Sequence, residues 1–431
     1  MDRESLGVTD LVEESLAAWQ DCGTDLPDLG RRYSPREQAE CEQLADECLT
    51  RVETVMRDLR RRKLAPQDAQ ARITAALVEL TTCALDVQDP YIDWLLGDRF
   101  GGVSTGLARQ ARQMDSSVGM IDILQAARNA WTACGIQALL GLAPQLTPAI
   151  FAYSMLYPYS DNYLDDPALS SDVKFAFSLR FRSRLRGDRL PAGNSREATI
   201  WSLVDIIEAQ YPRDRYSQVY ESLLAIHAAQ EQSIRQLPHR GDSAALDILR
   251  LTFTKGGTSV LADACLAAGH LLPHEARFAF QWGVVLQLGD DLQDVLSDSQ
   301  RGSRTLYTQD AARQPLDRIT ARTLHFGRWV MTAMAPLEKG EPVLKRLLQK
   351  SSQLLLVRST AGAGALYTPS FLDNLQPYSP FRFEFLRRRE QDLAARKREY
   401  AVLFEDLIRS HSVETRPRLG TFRIANVLMR Q

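Results

Sequence analysis

Apolar residues recur at helical spacing along almost the whole chain, and strand-type alternation is hard to find anywhere. That pattern predicts an all-α fold. Ser34-Pro35 reads as an N-cap followed by proline at the first helical position, opening a helix to about Arg62 with Cys41, Leu44, Cys48 and Val52 at three-to-four spacing. Further helices are expected from Pro66 to Val87, Ile121 to Leu142, Leu146 to Asp165, where Pro167 stops the run, and Phe175 to Leu185. The pattern continues from Ala198 to Gln210, Tyr216 to Leu237, Ala244 to Ala268, His274 to Val295, Leu316 to Met334, Pro342 to Leu356 and Phe381 to Ile408. Glycine-, proline- and serine-bearing breaks fall at Gly187 to Asn194, Pro238 to Asp242, Ser299 to Ser303, Gly362 to Gly364 and Thr368 to Pro380.

A chain of 431 residues with 45% hydrophobic content can bury a large core, as one big helical domain or two smaller ones. Its 52 basic and 54 acidic residues leave a net charge of −2, which creates no field to gather nucleic acid or an anionic membrane. Small molecules are the expected partners. The six cysteines, Cys22, Cys41, Cys48, Cys83, Cys134 and Cys265, form no Cys-x-x-Cys pair, and the first residues lack a positive, apolar signal sequence. Both point to a reducing, cytoplasmic location. No transmembrane segment is expected, because the most apolar run, Ile121 to Leu142, is interrupted by Asp122, Gln125, Arg128 and Asn129, well short of the roughly 20 residues a span needs.

Chemistry enters with two aspartate clusters, Asp161-Asn-Tyr-Leu-Asp165-Asp166 and Gly289-Asp290-Asp291-Leu-Gln-Asp294, about 130 residues apart. Positions i and i+4 share a helix face, so Asp161 with Asp165, and Asp290 with Asp294, each present two carboxylates to one point. Aspartates at helix ends are commonly caps or solvated groups, and either cluster alone says little. Here each interrupts a strongly apolar run, Leu156 to Leu164 and Phe278 to Leu292, where a buried carboxylate needs a partner. Magnesium takes hard oxygen ligands and is usually held by one or two carboxylates plus substrate phosphates, so opposed pairs on facing helices would suit a metal-bound diphosphate. In Thr252-Phe-Thr-Lys255-Gly256-Gly257, a lysine beside paired glycines suggests a break in the helix where backbone N–H groups and an ammonium face an anion; the plainer alternative is a packed kink with Lys255 in water.

Lys255, the aliphatic stretch to Ala268 and the 34-residue step to Gly289-Asp-Asp-x-x-Asp294 resemble the second half of the trans-prenyl diphosphate synthase pattern. Asp161-x-x-x-Asp165 is closer to squalene and phytoene synthases. The arginine pair that follows the first motif of chain-elongating enzymes is absent, and Ser233 stands where they carry an aspartate three residues after a glutamine, here Gln230. The chain thus resembles the class I isoprenoid (terpene) synthase superfamily over about Gln137 to Tyr400. The resemblance implies an antiparallel helical bundle of the isoprenoid synthase type over residues 131–431; residues 1–130 lie outside it and are expected to form an additional N-terminal helical region, as a covering layer, a homodimer surface or a remnant domain. It implies a cluster of three Mg²⁺ ions held by Asp161, Asp165 and Asp166 on one side and by Asp290, Asp291 and Asp294 on the other. Lys255 would contact the diphosphate, and Arg301 and Arg304 would close over it through their planar forks.

The implied activity is ionisation of a linear allylic prenyl diphosphate followed by cyclisation or rearrangement of the cation. A head-to-head or chain-elongating prenyltransferase is the alternative among enzymes, and a non-catalytic helical partner subunit the alternative outside them. A reactive cation needs a dry cavity with polarisable walls, for which Tyr153, Tyr157, Phe278 and Trp282 have suitable spacing, although such aromatics are commonly plain core. Most of the basic run Arg180, Arg182, Arg184, Arg186 and Arg189 is expected to be exposed, with a minority free to face phosphate. His227 reads as a hydrogen-bonded core residue. No histidine pair, Ser-His-Asp order or glycine-rich nucleotide fingerprint competes for the chemistry.

Overall fold

The computed structural model describes residues 5–85, 98–166, 169–233 and 247–396. Among them there is no strand, so the all-α expectation holds. Among them, too, no helix is long and apolar enough to cross a membrane. The chain divides into two compact units, one of Met1–Pro27, Thr132–Leu142 and Leu146–Glu341, the other of Asp28–Trp131, Ala143–Gln145 and Pro342–Gln431.

In chain order the helices are α1 (Val8–Asp21), α2 (Pro35–Arg60), α3 (Pro66–Leu85), α4 (Asp98–Met114), α5 (Met120–Leu139), α6 (Pro148–Asp165), α7 (Ser171–Arg186), α8 (Ser195–Gln210) and α9 (Ser217–Ser233). They continue as α10 (Ile248–Ala268), α11 (Pro273–Gln293), α12 (Val295–Arg301), α13 (Leu306–Ala311), α14 (Asp317–Thr332), α15 (Pro342–Gly362), α16 (Pro369–Leu375) and α17 (383–396).

The second unit is built around α2 and α3. Ser34 caps α2 as its sequence predicts: its hydroxyl accepts from the Glu37 N–H, and the Glu37 carboxylate accepts in return from the Ser34 N–H at 2.7 Å. The apolar stripe Ala45, Cys48, Val55, Met56 and Leu59 then meets Ile73, Ala76, Leu77 and Leu80 of α3, with Phe385 of α17 packed onto the same cluster. Arg382, at the start of α17, and Arg389 and Arg396 along it pair with Glu42, Asp46 and Glu53, and so fasten it along α2. Cys41 and Cys83 form a disulfide between α2 and α3. Such bonds persist in oxidising surroundings, so the cysteines do not support the reducing compartment expected from their spacing.

The first unit surrounds α10. This helix is apolar on nearly every side and almost wholly buried, as a helix wrapped by neighbours must be. It packs most extensively on α11, then on α9, and also meets α6, α1 and α13. Helix α1 is held there by Trp19, edge-on to Phe253 and Phe326 with ring centroids 5.7 Å away, and by ion pairs from Glu13 to Arg250 (2.5 Å) and from Glu14 to Arg277 (2.9 Å).

The expected break at Lys255-Gly256-Gly257 is not present. Helix α10 runs unbroken through it, and both glycines are buried. Their role is close approach: a Cβ on Gly256 would lie 2.4 Å from the Gln287 Cβ, one on Gly257 2.3 Å from the Phe280 ring, and one on Gly283 of α11 2.2 Å from the Gly256 carbonyl oxygen. The three glycines let two backbones cross where any side chain would hold them apart.

Candidate functional site

Helix α6 carries the first acidic motif. Thr147 and Pro148 start it, the Thr147 hydroxyl accepting from the Ile150 N–H at 3.2 Å. Asp161, half-buried in the fourth turn, accepts a 3.0 Å hydrogen bond from Gln230 Nε2 of α9. Asp165 is the last residue of the helix and Asp166 its half-buried C-cap. The side chains of Asp165 and Tyr157 lie outside the described ones, as does Pro167, the expected helix stop. Tyr153 is half-buried two turns before Asp161.

Helix α11 carries the second motif at its C-terminal end. Asp290 is half-buried, and Asp294 is exposed and caps the helix. Asp291 turns toward α10, where it is buried and accepts from Gln287 Nε2 at 2.8 Å and from the Thr252 hydroxyl at 3.3 Å. Burial pushes its carboxyl up to about 7 against the pull of the Gln287 bond and the nearby Lys255 ammonium, while Asp290 and Asp298 add to the rise. Asp298, one turn past Asp294, is likewise raised by burial, with Arg301 and Lys255 opposing. Lys255, half-buried on α10, is near enough for its charge to act on Asp291 and Asp298.

Phe278 and Trp282 stack at 6.0 Å and are both buried, with Trp282 Nε1 left without a hydrogen-bond partner. Arg301 is exposed and folds back on α12, donating to the Ser297 hydroxyl at 3.0 Å, while Arg304 is exposed just beyond the left-handed Gly302. The Lys255 charge thus acts on Asp291 and Asp298, while Gln230 holds Asp161. The helices bearing them, α6, α9 and α11, all pack on α10. Among the described residues no three His, Cys, Asp or Glu side chains are grouped closely enough to hold a metal ion, and the Asp165 side chain is not among those described.

The arginine run on α7 serves a purpose the sequence did not reveal. Arg180 binds Glu197 with Nε donating at 3.0 Å, Arg182 pairs with Glu231, and Arg184 and Arg189 share Asp205 and Glu208. Three of the four arginines on α7, with Arg189 just beyond its end, therefore clamp it to α8 and α9, and only Arg186 and Arg189 of the five are exposed, where most were expected to be. Arg184 is buried, and Glu208 shows what the clamp does. Burial alone would raise its carboxyl, yet bonds from Arg184 and Arg213 overcome that and hold it down at about 2.

Next to Gln230, His227 and Glu231 bind back to α7. The His227 Nε2–H donates to the Ser178 carbonyl at 3.0 Å, and the Ser178 hydroxyl donates to Glu231 at 2.5 Å. That hydroxyl proton is committed, so Nε2 carries the imidazole hydrogen and the buried Nδ1 is left bare. The core reading of His227 holds. Sequence reasoning missed its link to Glu231 and also missed Asp298, which the i+4 step from Asp294 would have revealed.

Compared with protein-family models, curated proteins and solved structures, the chain has no match.

Proposed function

We propose that this chain is a magnesium-dependent class I isoprenoid synthase that ionises a linear allylic prenyl diphosphate and cyclises or rearranges the cation. The observation that supports this reading is that α10, whose Lys255 charge acts on Asp291 and whose Thr252 hydrogen-bonds to it, also packs against the Asp161-bearing α6. Carboxylates are hard oxygen donors of the kind magnesium prefers, and half-burial of Asp161 and Asp290 limits competition from water. Asp161, Asp165, Asp290 and Asp294 would hold the ions, which supply Lewis-acid stabilisation to a departing diphosphate. Gln230 orients Asp161, Lys255 offers an ammonium to the anion, and Asp291 braces α11 against α10 from behind.

Purified protein is incubated with Mg²⁺ and separate C10, C15, C20 and C25 all-trans prenyl diphosphates, with and without isopentenyl diphosphate. Mass analysis follows hydrocarbon and diphosphate products. Hydrocarbon or alcohol from one substrate alone supports the proposal and fixes its chain length. Longer diphosphates that need isopentenyl diphosphate identify an elongating prenyltransferase, doubled carbon number a head-to-head one, and silence across the panel leaves a non-catalytic partner or a substrate outside the panel. Asp161→Asn and Asp290→Asn are each expected to lower diphosphate release at least about a hundredfold with unchanged melting temperature. Wild-type turnover by both folded variants would overturn the metal assignment.

A further inference from the structure

Helix α7 leaves one face uncovered. Phe177, Ser178, Phe181, Arg184 and Leu185 are buried on the side toward its neighbours. On the opposite side Phe175 is 64% and Leu179 43% exposed, the former among the most exposed large apolar residues described. A phenylalanine and a leucine one turn apart are a patch that water opposes. The ends of this strip carry opposite charges: Asp172 is exposed in the first turn and Arg186 in the last. Arg180, Arg182, Arg184 and Arg189 are committed to carboxylates of their own chain. Asp172 and Arg186 meet no side chain of opposite charge among the described residues.

We infer that this face is a self-association surface, on which α7 of one chain packs antiparallel to α7 of a second copy about a two-fold axis through Leu179. The position numbers carry the argument. Residues 172 and 186 are equidistant from 179, as are 175 and 183, and about 21 Å of helix separates the two end charges. An antiparallel dyad at Leu179 therefore sets Asp172 against the second copy's Arg186 at both ends at once. Phe175 falls over the small Ser183, and the two Leu179 side chains meet at the centre. An isologous contact requires this self-complementarity, in which residue i meets j and j meets i. A charge pattern symmetric in sign would repel under the same operation. One helix pair buries little surface, below about 1,200 Å² in total, so the association belongs to the weak class and depends on concentration.

The test is sedimentation equilibrium of the full chain over a concentration series. Wild type is expected to show a monomer–dimer equilibrium, and Phe175→Ser to weaken it. Asp172→Arg turns two attractive pairs into two repulsive ones, as does Arg186→Asp, and each should weaken self-association at least about tenfold. The double variant D172R/R186D restores both pairs and should dimerise as wild type does. An equimolar mixture of the two single variants should form a heterodimer, since both of its end contacts join an arginine to an aspartate. Circular dichroism and melting temperature of each variant separate misfolding from lost contact. A wild type that stays monomeric throughout, reversals that leave association unchanged, or a mixture that fails to associate would overturn the proposal.

Discussion

Gly283→Ala is expected to cost about 3 kcal/mol of stability, enough to unfold a marginal domain, although it adds a single methyl group to a helix interior where alanine is intrinsically preferred. The reason lies in what the methyl would meet. Its nearest neighbours would be the Gly256 carbonyl oxygen at 2.2 Å, the Gly256 carbonyl carbon at 2.9 Å and the Gly257 Cα at 3.1 Å. All three are backbone atoms of α10, so no rotamer change relieves the clash. The two helices must move apart, and theirs is the most extensive helix–helix contact in the described structure. Separation would also carry Asp291 away from Thr252, leaving a buried carboxyl with one bond fewer. Gly135 of α5 supplies the control: an added Cβ there finds nothing within 4 Å, so Gly135→Ala should be neutral or stabilising by up to about 1 kcal/mol. Denaturant titrations of both variants decide the matter. Equal midpoints for Gly283→Ala and wild type would refute the close-approach account.

Those glycines also show where sequence reading stops. Many helices were legible because their signals are local, although α1 and α4 were not among those expected; the Ser34-Pro35 start of α2 was found at the residue, since capping involves groups three positions apart. Helix ends were less so. Helix α7 begins at Ser171 rather than Phe175, because Ser170 caps it through the Val173 N–H ahead of any apolar repeat, and α15 runs to Gly362 rather than Leu356. Gly256 and Gly257 look like a helix break when judged by propensity, and their real partner, Gly283, is on another helix. The same limit hid the arginine clamp, whose carboxylates Glu197, Asp205, Glu208 and Glu231 are on α8 and α9. It also hid the Cys41–Cys83 bond, joined across a separation of 42 with no motif to mark it. In the candidate site, Lys255 and the second acidic motif were picked from spacing and resemblance, and the Lys255 charge acts on Asp291 and Asp298. The inward turn of Asp291 was not legible, because Asp290 and Asp291 are neighbours in sequence and only packing decides which of them faces α10.

Acid should weaken the fold through His227, and the window follows from its surroundings. Burial is the main cause that pulls this imidazole down to about 4 from an ordinary 6.5. The Ser178 carbonyl bond works the other way, and the nearby Arg182 charge adds to the fall. Glu231 stands 3.6 Å from Nε2 and would favour a proton there, but its charge is already matched by Arg182 and by the Ser178 hydroxyl. The bare Nδ1 must take any added proton, in a place with no acceptor to receive it. An unfolded chain protonates this residue near pH 6.5 and the native chain only near pH 4, so the unfolded state binds more protons between those values. The contribution of the neutral histidine is therefore whole above about pH 6.5, falls as pH drops toward 4, and levels off below, for a total of about 3 kcal/mol. Unfolding free energies of wild type and His227→Gln are measured from pH 8 to pH 4. The difference between the two profiles cancels the titration of carboxylates common to both proteins. That difference should shift by about 3 kcal/mol across the window, with wild type losing more. Parallel profiles would show that His227 gains a partner on protonation and that the α7–α9 joint beside Gln230 and Asp161 is indifferent to acid.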